Sequence, residues 1–195
     1  IDENTTFYCN GGANFGRFMK CHCGLHSLQM NNGTYKSCKS YFGNTYKRTI
    51  EKYKDSYYSV DNWANHVRSF GLGQYLETDM PIGAKGLVPT SKMYKKWYNG
   101  APIRSSYIIS NSIGQGEVLT SPIQLANMMA VVANQGYYYT PHIVKKIKGQ
   151  TLEKKFTTKH YSTIDKQYFP PMIQGLADVY NIGTASGLRV EGLQI

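Results

Sequence analysis

The stretch Ser112-Ile113-Gly114-Gln115-Gly116-Glu117-Val118-Leu119-Thr120-Ser121-Pro122-Ile123-Gln124-Leu125-Ala126 carries two signals back to back. Its second half is a helix start: the Ser121 hydroxyl can accept hydrogen bonds from free N–H groups, and proline is tolerated at the first helical position. From Ile123 to Ala133 the run is apolar on nearly every face, with Leu125, Met128, Met129, Val131 and Val132. That pattern predicts a helix buried in the body of a larger protein, ended by Asn134-Gln135-Gly136. The first half holds two glycines, but their spacing fits neither the Walker pattern nor Gly-x-Gly-x-x-Gly. No Lys-Ser or Lys-Thr follows, so a tight turn leading into the helix is favoured over a phosphate loop.

Toward the C-terminus, Tyr137 to Val144 reads as β-rich, residues 145–162 as basic, polar and poor in strand, and Tyr168 to Tyr180 as a helix around Pro170 and Pro171. Toward the N-terminus, Tyr107-Ile108-Ile109 reads as a short strand. Residues 71–105 form a long irregular connection studded with Pro81, Gly83, Gly86, Pro89, Gly100 and Pro102. Loops of that length usually serve a site or pack as a structured excursion. Ser59-Val60-Asp61-Asn62 offers cap residues ahead of Trp63, Val67 and Phe70, with Gly71 as the stop. Tyr41, Phe42, Tyr46, Ile50 and Tyr53 recur at helical spacing and predict one amphipathic helix within 35–54. Residues 1–34, rich in Gly, Asn and Cys, read as loop.

The chain has 195 residues, enough for one domain, or one and a fragment. Hydrophobic residues at 41% and aromatics at 13% supply a core, which excludes a disordered chain. No apolar run reaches the length of a membrane span. The net charge of +10 suits anionic surroundings without choosing among nucleic acid, membrane and acidic polymer. The start at Ile1-Asp2-Glu3-Asn4 reads as cut from something longer.

All four cysteines, Cys9, Cys21, Cys23 and Cys38, lie in the first 38 residues, with His22 and His26 among them. Zinc takes four such donors on a tetrahedron, and ligands a few residues apart supply two corners from one turn. Two disulfides, or buried free thiols, are the alternatives.

The Ser112–Ala126 stretch, followed by Ala133-Asn134-Gln135-Gly136 and Pro141-His142-Ile143-Val144, closely resembles the transpeptidase domain of class B penicillin-binding proteins, nearest the elongation type, penicillin-binding protein 2. The likeness extends to Tyr57–Gly83 and to Asn181-Ile182-Gly183-Thr184-Ala185. It implies a mixed α/β (α+β) fold, a five-stranded antiparallel sheet flanked by helices, of which this chain holds mainly the helical half. Residues 1–38 would be a loop-rich Cys/His segment and 39–195 a helical body, both within one partial transpeptidase domain.

Penicillin-recognising serine enzymes carry Ser-x-x-Lys, Ser-x-Asn and Lys-Thr-Gly. No serine here has a lysine three residues on, and Lys-Thr-Gly and Lys-Ser-Gly are absent. The middle motif survives as Ser37-Cys38-Lys39. The resemblance thus implies an internal piece cut between the first and third motifs, unable by itself to form an acyl-enzyme. Ser37 would pass a proton toward the leaving group. Lys39 departs from the family's Asn: it has donors only and adds a charge. Some elongation-type members hold zinc beside this motif through acidic or thiol residues, a His and the motif's Cys. That implies structural zinc on Cys9, Cys21, His26 and Cys38, with Cys23 as a substitute, and no organic cofactor.

The resemblance further implies a membrane-anchored parent on the periplasmic face of the bacterial cytoplasmic membrane. Its partners would be peptidoglycan stem peptides, β-lactams and other cell-wall and cell-shape proteins. Two other readings compete. A non-catalytic cell-wall scaffold is favoured by Lys39 alone. A zinc-stabilised nucleic-acid module accounts for charge and aromatics, but the basic residues are dispersed and no nucleic-acid motif spacing appears, so no nucleic-acid partner is expected. Loss of the flanking sheet predicts exposed apolar surface and self-association.

Overall fold

The computed structural model describes residues 1–80, 83–190 and 192. Pro81 of the long connection and the Leu193-Gln194-Ile195 end lie outside the described residues. The elements, in order, are strands β1 (Phe7–Asn14) and β2 (Phe18–Leu28), and helices α1 (Met30–Tyr35), α2 (Lys39–Ile50), α3 (Ser56–Arg68), α4 (Ser91–Trp97) and α5 (Pro122–Ala133). Strand β3 (Tyr137–Tyr139), helix α6 (Lys154–Thr157), strand β4 (Lys159–Tyr161) and helix α7 (Phe169–Asn181) follow. The described residues hold two small antiparallel sheets, β1–β2 and β3–β4, among predominant helix.

Helix α5 begins where its sequence signal places it. Pro122 opens the first turn, and Gln124 Oε1 accepts the Ser121 N–H at 3.0 Å, one arm of a capping box. Among the described residues the Ser121 hydroxyl has no hydrogen-bond partner. The packing departs from the expectation of an all-round buried helix: Leu125 and Met129 are 45% and 46% exposed, while Gln124 and Asn127 are buried. Gln124 Nε2 donates to the Gln74 and Lys85 carbonyls at 2.8 and 2.9 Å, and Asn127 Nδ2 to the Phe70 carbonyl at 3.0 Å. The connection after Phe70 has little ladder of its own beyond the Leu87–Leu119 bridge, so its inward carbonyls need donors. The polar side chains of α5 supply them, while Val131, Ile123 and Met128 pack into the cores and Leu125 and Met129 are left outside.

Several expectations are corrected. Residues 1–34 are not loop. They form the β1–β2 hairpin and most of α1, because Phe7, Cys9, Cys21 and Leu28 bury one face, while Tyr8, Asn10, Lys20 and His22 between them are exposed. The single helix expected within 35–54 is two: α1 ends at Tyr35, Ser37 adopts a left-handed φ of +49°, and α2 starts at Lys39. Helix α3 is capped by Asp55, whose carboxylate accepts the Tyr57 and Tyr58 N–H groups at 2.8 and 3.3 Å, so Ser59 to Asn62 lie inside the helix. The 71–105 connection contains α4. Tyr107 to Ile109 fall in 3₁₀ turns (Ser105–Tyr107 and Ile109–Ile113), not a strand, and pack as core. Residues 145–162 include β4, which pairs Tyr161, His160 and Lys159 with Tyr137, Tyr138 and Tyr139.

The main core joins α2, α3, α4 and the 3₁₀ turns through Tyr46, Ile50, Val60, Tyr94, Ile108 and Ile109. A second core, under the hairpin, combines Phe7, Leu28 and Tyr41 with Cys9, Cys21 and Cys38. Helix α7 lies along α1, where Gly175 faces Thr34 and Asn31 Nδ2 donates to Asp178 Oδ2 at 2.9 Å.

Candidate functional site

The site is built on the break between α1 and α2. Three residues separate the helices, and their alternation decides what each side chain meets. Cys38 points inward, fully buried, and caps α2 by accepting the Tyr41 N–H on its sulfur at 3.4 Å. Ser37 and Lys39, on either side, are exposed. Both line a cavity of ≈ 460 Å³ together with Thr34 and Phe42, Ser112 and Ile113, and Leu176 and Val179 of α7. The middle-motif residues and the Ser112–Ile113 end of the opening stretch therefore share one cavity, although some 75 residues of chain, about half of them irregular, lie between them.

Ser37 Oγ lies 2.9 Å from Thr184 Oγ1. Thr184 belongs to the Asn181–Ala185 stretch of the family resemblance, which assigns it no role. Its partner is 147 residues away in sequence, so no local pattern marks the pair.

Beneath Cys38 lie the other thiols. Pairing in the hairpin runs Cys9 opposite His26 and Asn10 opposite Leu25, then resumes at Gly12 opposite Lys20. Residues 21–24 thus bulge against Gly11 alone. Cys21 and Cys23, two apart on an extended segment, share a face and turn it toward Cys9 and Cys38. The four Sγ atoms all lie within 4.8 Å of one another. Cys23 Sγ is 3.1 Å from Cys38 Sγ, 3.2 Å from Cys21 Sγ and 3.4 Å from Cys9 Sγ, and the Cys21–Cys38 pair is at 3.7 Å. None is in a disulfide, which removes that alternative among the described residues. His26 is exposed and lies outside the group, whereas Cys23, expected as its substitute, lies within it.

Burial pushes the Cys38 thiol up to about 11 and that of Cys23 higher still. At Cys21 burial is outweighed by hydrogen bonds from the Cys23 and Ser40 backbone N–H groups and from the neighbouring thiols, and its pKa falls to about 6. A tetrahedral Zn–S₄ unit with bonds of about 2.3 Å has sulfurs about 3.8 Å apart; the Cys21–Cys38 pair is near that spacing and the three Cys23 contacts are shorter. Four thiol donors gathered this closely could hold a metal ion.

A family model described as "Penicillin binding protein transpeptidase domain" matches residues 1–195. The chain belongs to the penicillin-binding protein transpeptidase family. It is 30% identical over 148 residues to "Peptidoglycan D,D-transpeptidase MrdA" of Acinetobacter baumannii, a match covering 70% of this chain and 20% of that protein. A second relative of the same name, from Haemophilus influenzae, is 28% identical over 113 residues, 54% of this chain and 17% of that protein. The chain therefore spans about a fifth of the curated relatives it matches. Penicillin-binding protein 2 from Helicobacter pylori, solved alone and in complex with MreC, shares the fold: the structure solved alone has a TM-score of 0.76 at 22% identity over 100% of this chain and 35% of that chain. The expected mixed α/β transpeptidase-like architecture is thus shown for the family member at hand.

Proposed function

We propose that this chain is part of a peptidoglycan D,D-transpeptidase of the elongation type, which cross-links stem peptides by serine acyl transfer and is acylated by β-lactams. The observation that carries this reading is the single cavity on which Ser37, Lys39, Ser112 and Ile113 converge. In the proposed reaction the nucleophilic serine, supplied by a Ser-x-x-Lys segment that this chain lacks, loses its proton to the paired lysine and bonds to the donor carbonyl. The scissile amide C–N bond breaks, and Ser37 passes a proton to the departing nitrogen. Attack by an acceptor amine on the ester then forms the cross-link and frees the serine.

Lys39 stands where the family's Asn would both accept and donate. Its ammonium only donates, which suits a carboxylate or carbonyl of the substrate. The same residue favours a second reading, a family member that has kept the fold as a cell-wall scaffold and lost turnover. Fluorescent penicillin applied to the full-length protein separates them: labelling supports the transpeptidase, and none supports the scaffold.

Zinc on Cys9, Cys21, Cys23 and Cys38 would be structural. Bound there it would tie both strands of the hairpin to the N-terminus of α2, and so to the backbone that presents Ser37. Residues 1–38 would form the metal-bearing lead-in and 39–195 the body of the partial domain. The placement outside the cytoplasmic membrane, on its periplasmic face, rests on what the relatives are named for. No helix among the described residues is long and apolar enough to cross a membrane, so an anchor would have to come from elsewhere in the parent. A partner of the kind of MreC, seen in complex with the Helicobacter pylori relative, is proposed for the parent.

A further inference from the structure

We infer that Thr184 is a positioning residue for Ser37: its hydroxyl sets the direction in which the Ser37 hydroxyl presents its proton to the cavity. The inference rests on the reading of Ser37 as the proton-passing serine of the middle motif. Ser37 is exposed, and its left-handed backbone offers no turn of helix to restrain the side chain. Among the described residues, the one side-chain hydrogen bond to Ser37 Oγ is the 2.9 Å contact with Thr184 Oγ1.

Thr184 is itself held firmly. Its N–H donates to the Tyr35 carbonyl at 3.0 Å, and the next residue, Ala185, donates to the Val179 carbonyl at 3.0 Å. Gly183 permits this approach, because a Cβ there would collide with the Tyr35 carbonyl oxygen and lie 2.8 Å from Val179 Cα. The Asn31–Asp178 hydrogen bond at 2.9 Å locks α7 to α1 one turn earlier. So the chain segment carrying Thr184 is anchored to the last residue of α1, two positions before Ser37.

The chemistry follows from the donor inventory. A hydroxyl has one proton to donate and two lone pairs to accept with. When Thr184 donates to Ser37 Oγ, the Ser37 proton is left free to point into the cavity rather than back at the protein. Threonine is well suited, since its β-branch restricts χ1 and fixes where the hydroxyl lies.

The test uses the full-length protein, with the rate of acylation by a fluorescent penicillin and the thermal midpoint measured side by side. Thr184→Val keeps the shape and removes the hydroxyl; the expected result is about a three- to tenfold slower acylation, the size that one neutral hydrogen bond supports, with the midpoint unchanged. Thr184→Ser restores most of the rate. In a Ser37→Ala background, Thr184→Val adds no further loss, because the group it positions is gone. If Thr184→Val slows acylation equally with and without Ser37, or if Thr184→Ser is as slow as Thr184→Val, the inference is overturned. If Ser37→Ala slows acylation and Thr184→Val does not, the inference fails while the role of Ser37 stands. If Ser37→Ala leaves acylation unchanged, the reading of Ser37 fails and takes the inference with it. Should Thr184→Val lower the midpoint, Thr184→Ser, which keeps the hydroxyl and loses the methyl, decides under the same measurements between lost hydroxyl and lost packing.

Discussion

Cys23 and Cys38 bring their sulfurs to 3.1 Å of each other, one from a bulge in β2 and the other from the cap of α2. Neither forms a disulfide. A contact so short between the buried Cys38 thiol and the half-buried Cys23 thiol places the hairpin and the candidate catalytic helix under a common constraint. Zinc would turn that crowding into four bonds, and its binding energy would then belong to folding. The chain purified without chelator is expected to carry one zinc per molecule, read by elemental analysis. Cys23→Ser should lose most of it and lower the thermal midpoint, whereas His26→Ala should retain it. A full complement of metal in Cys23→Ser, or its loss in His26→Ala, would return the fourth corner to His26.

Tyr46 and Tyr94 make a contrasting pair in the main core. Both phenols are held above their ordinary pKa, chiefly by burial; the amide of Asn111 opposes the shift and the charge of Glu117 adds to it. A raised pKa means the neutral phenol stabilises the fold fully below the unfolded value of about 10, and that this stability is lost as pH rises beyond it. Alkaline unfolding is therefore expected above about pH 10, from the same two positions. The Tyr46 hydroxyl has no hydrogen-bond partner among the described residues, so Tyr46→Phe should be neutral or stabilising at pH 7 and flatten the alkaline loss. Tyr94 Oη accepts from Asn111 Nδ2 at 3.1 Å, so Tyr94→Phe strands that amide and should cost about 1–2 kcal/mol at pH 7. Denaturant unfolding of both variants from pH 7 to 11 checks this. Equal effects of the two substitutions at pH 7 would contradict it.

What could be seen in the sequence, and what could not, follows from how local each signal is. The start of α5 was legible because Ser121, Pro122 and Gln124 act within one turn of each other. Helix α7 was legible from its apolar period. The face that α5 buries was not, because its partners are carbonyls of Phe70, Gln74 and Lys85, some fifty residues away. The hairpin was hidden because its inner face is made of cysteines and two large apolar residues, with glycines rather than β-branched side chains beside them. Nothing in Ser37 itself announces a left-handed backbone, so the division of α1 from α2 went unseen. In the site, Ser37, Lys39, Cys9, Cys21, Cys23 and Cys38 were named from motif and residue type. The choice of Cys23 over His26 needed the bulge, and Thr184 needed the tertiary fold.

Gly183 tests the docking of the α7 tail independently of any chemistry. The space for a Cβ is occupied by backbone atoms on three sides: the Tyr35 carbonyl oxygen, Val179 Cα and the Asp178 oxygen. Backbone cannot yield as the end of a flexible side chain can. Gly183→Ala should therefore cost about 1–3 kcal/mol and loosen residues 183–185 from α1. Hydrogen exchange at the Thr184 amide, which donates to Tyr35, is the direct readout. Exchange as slow as in the unaltered chain would mean that the contact is not needed to hold the tail.

Gln124 carries the last prediction, and it concerns a polar residue inside an apolar helix. Its side chain is 1% exposed and makes four hydrogen bonds: Nε2 donates to the Gln74 and Lys85 carbonyls, and Oε1 accepts from the Ser121 N–H and the Thr120 hydroxyl. Hydrophobic pattern alone would favour leucine here, matching its neighbours and filling a similar volume. The physical expectation is the opposite, since leucine would leave two buried carbonyls and one N–H without partners. Gln124→Leu should destabilise the chain by about 2–4 kcal/mol, while Leu125→Gln, on the exposed side of the same turn, should cost less than about 0.5 kcal/mol. The damage should also be local at first, with residues 74–85 becoming the early site of cleavage in limited proteolysis because their anchor to α5 is gone. A Gln124→Leu chain that melted with the parent and resisted protease equally would show that the connection is held by something other than α5.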